Sequence, residues 1–200
     1  PKPPAKSVIF ELTPPHQIRS VDLPRISPDG RRLAFNAADS TGTEGIWVRQ
    51  MNSLEAQRLP GTEGASRPFW SPDSRFLAFF SGGKLRKIDI SGGPPITICD
   101  APRGADGTWG PRGVILFDGS TADSVQSVSA SGGVPAGATV VDRKNHETYT
   151  AWPQFLSDGR HFLYIAYGSG LEGRTLKVGS IDSKETKSLG PAGSRTEYAS

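Results

Sequence analysis

Cysteine is all but missing from this chain: of 200 residues, only Cys99 carries a thiol. A single cysteine excludes an internal disulfide and any thiolate metal centre built within the chain. It stands at the end of Ile96-Thr-Ile98-Cys99, a β-branched run, and is expected as a buried, unreactive thiol on a strand. Long apolar stretches are also lacking. The longest, Phe76-Leu-Ala-Phe-Phe80, falls far short of the ~18 residues of a membrane span. No window of about twelve residues shows a 3.6-residue apolar period, so almost no helix is predicted. Charge of one sign is scarce too. The formal net charge is +3, with both signs scattered. The tightest basic cluster, Lys84, Arg86 and Lys87, has no interleaved aromatic residue. Despite a pI near 9.2, this argues against a nucleic-acid partner. No methionine begins the chain, and no charged-then-apolar leader follows. The opening Pro1-Lys-Pro-Pro-Ala-Lys6 has the composition of an extended linker, so the chain is expected to have been cut from something longer.

Glycine and proline, by contrast, are plentiful, at 24 and 17 residues. Such density punctuates many short elements. The punctuation is periodic. Pro24-Arg-Ile26-Ser-Pro-Asp29-Gly-Arg-Arg-Leu33-Ala-Phe35 returns as Pro68-Phe-Trp70-Ser-Pro-Asp73-Ser-Arg-Phe-Leu77-Ala-Phe79. A worn copy follows, Trp109-Gly-Pro111-Arg-Gly113-Val-Ile115-Leu-Phe117, with Arg112 in the place of the Asp. The fourth is Pro153-Gln-Phe155-Leu-Ser-Asp158-Gly-Arg-His-Phe162-Leu-Tyr164. Large apolar residues recur three places before the Asp (Ile26, Trp70, Phe155) and again four and six places after it. In the worn copy Trp109 keeps its offset, and one deletion brings Ile115 and Phe117 into register. A repeat of roughly 40–45 residues built from short alternating runs predicts an all-β propeller of four-stranded antiparallel blades. The blades are expected over 21–60, 61–100, 101–142 and 143–190. Around them fall a linker at 1–7, a closing strand and connection at 8–20, and the start of a further blade at 191–200. Four blades with leftovers at both ends predict an incomplete arc of a larger ring, with open blade faces able to self-associate. In the third repeat the outer strand is expected at Thr139–Val141.

The turn phrase Ser27-Pro-Asp-Gly-Arg-Arg-Leu-Ala-Phe35 resembles the WD-like repeat of TolB-type propellers, and Trp70–Phe79 matches it almost as well. More narrowly, Leu54-Glu-Ala-Gln-Arg-Leu-Pro-Gly61, Ser91-Gly-Gly-Pro-Pro95 and Trp152-Pro-Gln-Phe155 look like the C-terminal propellers of certain bacterial serine/threonine protein kinases. This resemblance implies a non-enzymatic, extracytoplasmic sensor or scaffold module of a kinase-like parent, binding a protein or small-molecule ligand. Similar repeats form the gating propeller of prolyl-oligopeptidase-like serine hydrolases and the free periplasmic scaffold of the Tol system. Both stand as alternatives.

Catalytic motifs are looked for and not found. Gly168-Ser-Gly170-Leu-Glu-Gly173 has the spacing of a dinucleotide-binding loop. The alternating run Arg174-Thr-Leu-Lys-Val-Gly follows it, though, where a helix is required. Kinase motifs and a Gly-x-Ser-x-Gly elbow do not occur. His146-Glu147 begins like a zinc-protease motif, but position 150 is Thr. The recurring Asp29, Asp73 and Asp158 come one per turn and are expected as turn acceptors, not calcium ligands. His161 opens a strand and is expected to be solvated or stacked. Of Trp47, Trp70, Trp109 and Trp152, the two in shared register, Trp70 and Trp109, are expected in the core. No catalytic residue, cofactor or metal site is assigned. What remains is the face formed by connections between blades and between second and third strands. There Arg67, Arg103, Asp106, His146 and Glu147 are expected to rim the central opening as a partner-binding surface.

Overall fold

The computed structural model describes residues 21–119, 124–169 and 173–193. Sixteen strands form four sheets of four, each a simple antiparallel meander. The first sheet holds β1 (Val21–Ile26), β2 (Arg32–Ala38), β3 (Glu44–Gln50) and β4 (Ala56–Arg58). The second holds β5 (Ser66–Trp70), β6 (Phe76–Ser81), β7 (Lys84–Asp89) and β8 (Ile96–Asp100). In the third are β9 (Gly107–Trp109), β10 (Val114–Phe117), β11 (Gln126–Ser129) and β12 (Ala136–Gly137). The fourth has β13 (Glu147–Phe155), β14 (His161–Gly168), β15 (Arg174–Ser180) and β16 (Ser183–Pro191). Among the described residues the only helical element is a 3-10 turn at Arg143–Asn145. No helix there is long and apolar enough to cross a membrane. The fold is a β-propeller. Each sheet packs on the next, and no comparable packing joins the fourth sheet to the first, which accords with an open arc.

The turn phrase folds the same way wherever its residues survive. Asp29 accepts from the Ser27 hydroxyl (2.5 Å) and the Arg31 amide (3.0 Å), while the Ser27 hydroxyl oxygen accepts from the Arg32 amide. Ser71 and Asp73 repeat the pattern with Arg75 and Phe76. Asp158 accepts from the amides of Arg160 and His161 and bonds the His161 ring at 2.6 Å. These bonds hold the carboxyls below the usual range, at Asp29 and Asp73 through the serine hydroxyl first and at Asp158 through His161. In the worn copy the turn closes by backbone alone, Gly113 donating to Gly110. Arg112, free of the turn, reaches Asp182 of the fourth sheet.

The apolar offsets now acquire directions. Leu77 and Phe79 face the first sheet and share a core with Ala34, Ile46 and Trp70. Ile115 and Phe117 face the second sheet, with Phe69, Ala78 and Phe80. Phe162 and Tyr164 face the third, against Leu116 and Val125. So the residues four and six after the Asp look back to the preceding sheet, and those between them look forward. Leu33 and Phe35 keep the same parity and form a buried cluster with Ala37 and Trp47 on the first sheet's other face. Trp70 is buried, and Trp109 is half-buried and stacks on Phe76 with centroids 6.3 Å apart. Cys99 is buried in the seam of the second and third sheets, and burial pushes its thiol up to about 11.

One strand lies elsewhere than expected. The outer strand of the third sheet is the two-residue β12, not Thr139–Val141. Thr139 is instead turned inward, where its hydroxyl accepts from the Val125 amide and bonds the Thr150 hydroxyl of the fourth sheet at 2.7 Å. A buried side-chain link between sheets has displaced ladder pairing. The expected linker at 1–7, the closing strand at 8–20 and residues 194–200 of the expected further blade lie outside the described residues, as does part of the glycine-rich loop at 168–173.

Phe79 is fully buried between the first two sheets. Phe79→Ala is expected to cost about 3–5 kcal/mol in urea unfolding. Leu189→Ala, at an exposed edge position, should change stability by no more than about 0.5 kcal/mol.

The axial channel and its mouth

Proline shapes the inner strands. Leu23-Pro24, Arg67-Pro68 and Trp152-Pro153 fall at the same place in three repeats, and proline has no N–H to give a ladder. In each case the pairing skips both residues: Asp22 pairs with Asn36 and Arg25 with Ala34, Ser66 with Phe80 and Phe69 with Ala78, Ala151 with Ile165 and Gln154 with Leu163. Two residues thus oppose one, a β-bulge. The residue before each proline is left-handed: Leu23 at φ 52°, Arg67 at 56° and Trp152 at 58°. The third sheet has Gly107 where the others have the X-Pro pair, and its ladder runs unbroken from Gly107 to Trp109.

A bulge frees an amide, and the preceding sheet takes it up. Asn36 on β2 accepts from the Arg67 amide at 3.1 Å and donates to the Ala65 carbonyl at 2.7 Å. Asp118, at the equivalent place after β10, accepts from the Trp152 amide at 2.8 Å. Its other oxygen accepts from the Asp106 amide at 2.7 Å. Asp118 is buried, and burial raises its carboxyl to about 6. Asp106 adds to the rise, while the two amides and Arg67 oppose it.

The bulges also aim side chains. A cavity of about 450 Å³ runs along the axis, lined from all four inner strands, including Ile26, Phe69, Thr108, Trp109 and Trp152. Arg25 and Asp106 form an ion pair across it at 3.5 Å, between the first and third sheets. The Arg67 guanidinium lies 5.6 Å from the Trp152 ring centroid, second sheet to fourth. Beyond Trp152 opens a second cavity of about 400 Å³, lined by Arg103, Asp118, Tyr149, Trp152, Tyr167 and Arg174 among others. Tyr149 and Tyr167 stack there at 4.3 Å and 7°, and Arg174 covers the Tyr167 ring at 5.4 Å. The Trp152 indole N–H donates to the Tyr167 hydroxyl at 2.8 Å.

The five expected rim residues separate. Arg67 and Arg103 stand at the mouth. Asp106 does not stand on an exposed rim: it is buried, because Asp118 takes its amide and Arg25 its charge. Glu147 is buried as well, paired with Lys177 and accepting from the Asp142 amide. His146, at φ 59°, ends the 3-10 turn, and with Glu147 it borders a different cavity. Expectation missed Arg25, Asp118, Tyr149, Tyr167 and Arg174 and did not single out Trp152 for the mouth. The recurring X-Pro pair was the signal that joins Trp152 to Arg67. Among the described residues no cluster of three or more His, Cys, Asp or Glu could hold a metal.

No family model matches the chain. It is 27% identical over 192 residues to the uncharacterized peptidase YuxL of Bacillus subtilis, covering 86% of this chain and 26% of that one. It is 27% identical over 206 residues to tricorn protease homolog 1 of Streptomyces coelicolor, covering 90% of this chain and 19% of the relative. Among solved structures it resembles a TolB protein of Agrobacterium tumefaciens, with TM-score 0.69 and 16% identity over 84% of this chain and 65% of that one. A puromycin-hydrolyzing peptidase of Mycobacterium tuberculosis gives 0.65 and 13% over 86% and 29%. The architecture is TolB-like. These structural likenesses establish the propeller, and the narrower resemblance to kinase-borne propellers finds no support in them. The expectation of a non-enzymatic module is overturned, because the two relatives matched along 86% and 90% of this chain are named peptidases. Motifs missing from a segment that spans about a quarter or less of such relatives could not have decided the matter.

A buried carboxyl raised to about 6 binds its proton more tightly in the folded state than near its unfolded value of about 3.9. Its contribution is therefore greatest below about 4 and is lost as pH rises through about 6, about 2–3 kcal/mol in all. The turn aspartates, shifted the other way, act below about 4 and leave this window clear. Urea unfolding between pH 4.5 and 7 should show the decline, and Asp118→Asn should abolish the slope. The asparagine offers one acceptor to two amides, so the variant should be about 1–3 kcal/mol less stable at pH 4.5.

Proposed function

We propose that this chain is the propeller of a larger serine peptidase of the prolyl-oligopeptidase-like kind, where it governs which peptides reach the catalytic domain. The observation that carries the reading is the match to a peptidase along 86% of the chain. The axial cavity supports it. A space of about 450 Å³ between inner strands suits an extended peptide and excludes a folded domain. Three of its four walls are bulged strands, and side-chain hydrogen bonds clip the second sheet to the first and the fourth to the third, which supports a fixed bore that acts as a filter.

The intact polypeptide carrying this chain is expected to react with a fluorophosphonate probe and to hydrolyse short peptides. Ile26 lines the channel and is exposed to it. Ile26→Trp narrows the bore and should slow cleavage of ten-residue peptides more than that of a small chromogenic ester. No probe labelling, or equal slowing of both substrates, would overturn the reading.

A further inference from the structure

The mouth carries more positive charge than its own ion pairs use. Arg67, Arg103 and Arg174 stand around it, and among the described residues none of the three is paired with a carboxylate. Arg67 and Arg174 are instead held over aromatic rings, which fixes each guanidinium without occupying its N–H fork. Among the described residues the one carboxylate in the lining is Asp118, which has an oxygen engaged by each of two backbone amides and lies buried in the floor. Asp106 nearby is paired with Arg25. The unspent charge at the opening is thus cationic.

Beside it stands a flat surface. Tyr149 is the outer member of the stack Tyr149–Tyr167–Arg174 and is 44% exposed, although it is a large aromatic residue on the inner strand of its sheet. Trp152 borders both this cavity and the axial one. A chain threaded along the axis therefore passes Trp152 and meets arginines and a tyrosine face together.

We infer that the mouth between the third and fourth sheets binds the carboxylate of an acidic peptide, with Arg103 and Arg174 gripping the carboxylate and Tyr149 covering the adjacent planar group. Arginine matches this ligand because its planar fork gives two parallel, charge-assisted bonds to a carboxylate. The inference rests on the peptide-handling reading and narrows it to peptides with an acidic residue or a free C-terminus.

The test needs no catalysis. A fluorescein-labelled heptapeptide containing two Asp and a free C-terminus is titrated with the protein by fluorescence anisotropy, beside its twin with Asn for Asp and an amidated C-terminus. The acidic peptide should bind at least about tenfold more tightly, with an affinity that falls as salt rises. Arg103→Ala with Arg174→Ala, both exposed positions, should remove about tenfold or more of that affinity and leave the melting temperature unchanged. Tyr149→Ala should weaken both peptides. Equal binding of the two peptides, or an undiminished preference in the double variant, would overturn the inference. Inorganic phosphate displacing the acidic peptide at concentrations where chloride of equal ionic strength does not would reassign the mouth to phosphate and also overturn it. Probe labelling without an acidic preference sinks only this inference. An acidic preference without labelling sinks only the peptidase assignment.

Discussion

The bulge amide is the constraint on which the rest of this structure depends. Each X-Pro pair on an inner strand removes one donor outright and turns another, the amide before the proline, out of its own ladder. A buried amide without an acceptor costs about 1–3 kcal/mol, so some group must meet it. At two of the three sites the group comes from the sheet before, Asn36 for the Arg67 amide and Asp118 for the Trp152 amide, while the Leu23 amide is met by Asp22 of its own strand. The seam between second and third sheets supplies the control. The third sheet has no X-Pro pair and turns no amide toward the second, the Asp106 amide being met by Asp118 of its own sheet, and at the matching place the second sheet carries Phe80. Its ring packs near Phe69 and Phe117, each with centroids at 6.2 Å, and so close to Gly104 that a Cβ there would lie 2.0 Å from it. Where a donor must be answered the seam is polar. Where none faces the seam it is aromatic.

This rule couples the propeller's rigidity to the chemistry of its opening. Asp118 is at once a clip between sheets and the floor of the mouth. Its burial, which raises the carboxyl, follows from the amides it must reach. Arg67 has a double position too: its amide is tied to the first sheet through Asn36, and its guanidinium reaches across to the fourth through Trp152. The Arg67–Trp152 and Arg25–Asp106 contacts connect sheets that are not neighbours. An arc without closure needs such cross-axis contacts, because no ring of neighbouring sheets constrains its span.

The fold was legible because the repeat constrains backbone and core together. Ser-Pro-Asp-Gly fixes a turn, and apolar residues four and six places beyond it must lie on one face. Leu77, Phe79, Phe162 and Tyr164 do so, all looking to the preceding sheet. The mouth was legible only in part. Surface charge marked Arg67 and Arg103, but the same criterion chose Asp106 and Glu147, whose charges are consumed by Arg25 and Lys177 from distant parts of the chain. Such pairings are set by tertiary approach and leave no local trace. Tyr149, Tyr167 and Arg174 meet through strand register across β13, β14 and β15, which becomes readable only once the bulge is placed. The X-Pro pairs were in plain view. They looked like ordinary punctuation because proline is common throughout the chain.

A left-handed conformation at a residue other than glycine costs on the order of 1–3 kcal/mol, and glycine would relieve it. Three X-Pro positions bear that cost, as do Ser74 and His146 elsewhere, and the side chains at the three differ: leucine in the first sheet, arginine in the second, tryptophan in the fourth. Since the same bulge forms around all three, the fold does not dictate which side chain projects from it. Leu23 shows that an aliphatic residue satisfies the backbone. Arg67 and Trp152 add something beyond it: they meet at the point where the axial channel opens into the mouth. The bulge is the propeller's means of presenting a side chain to the axis, and at two of its three occurrences it puts a cation and a large ring where the axial channel meets the mouth.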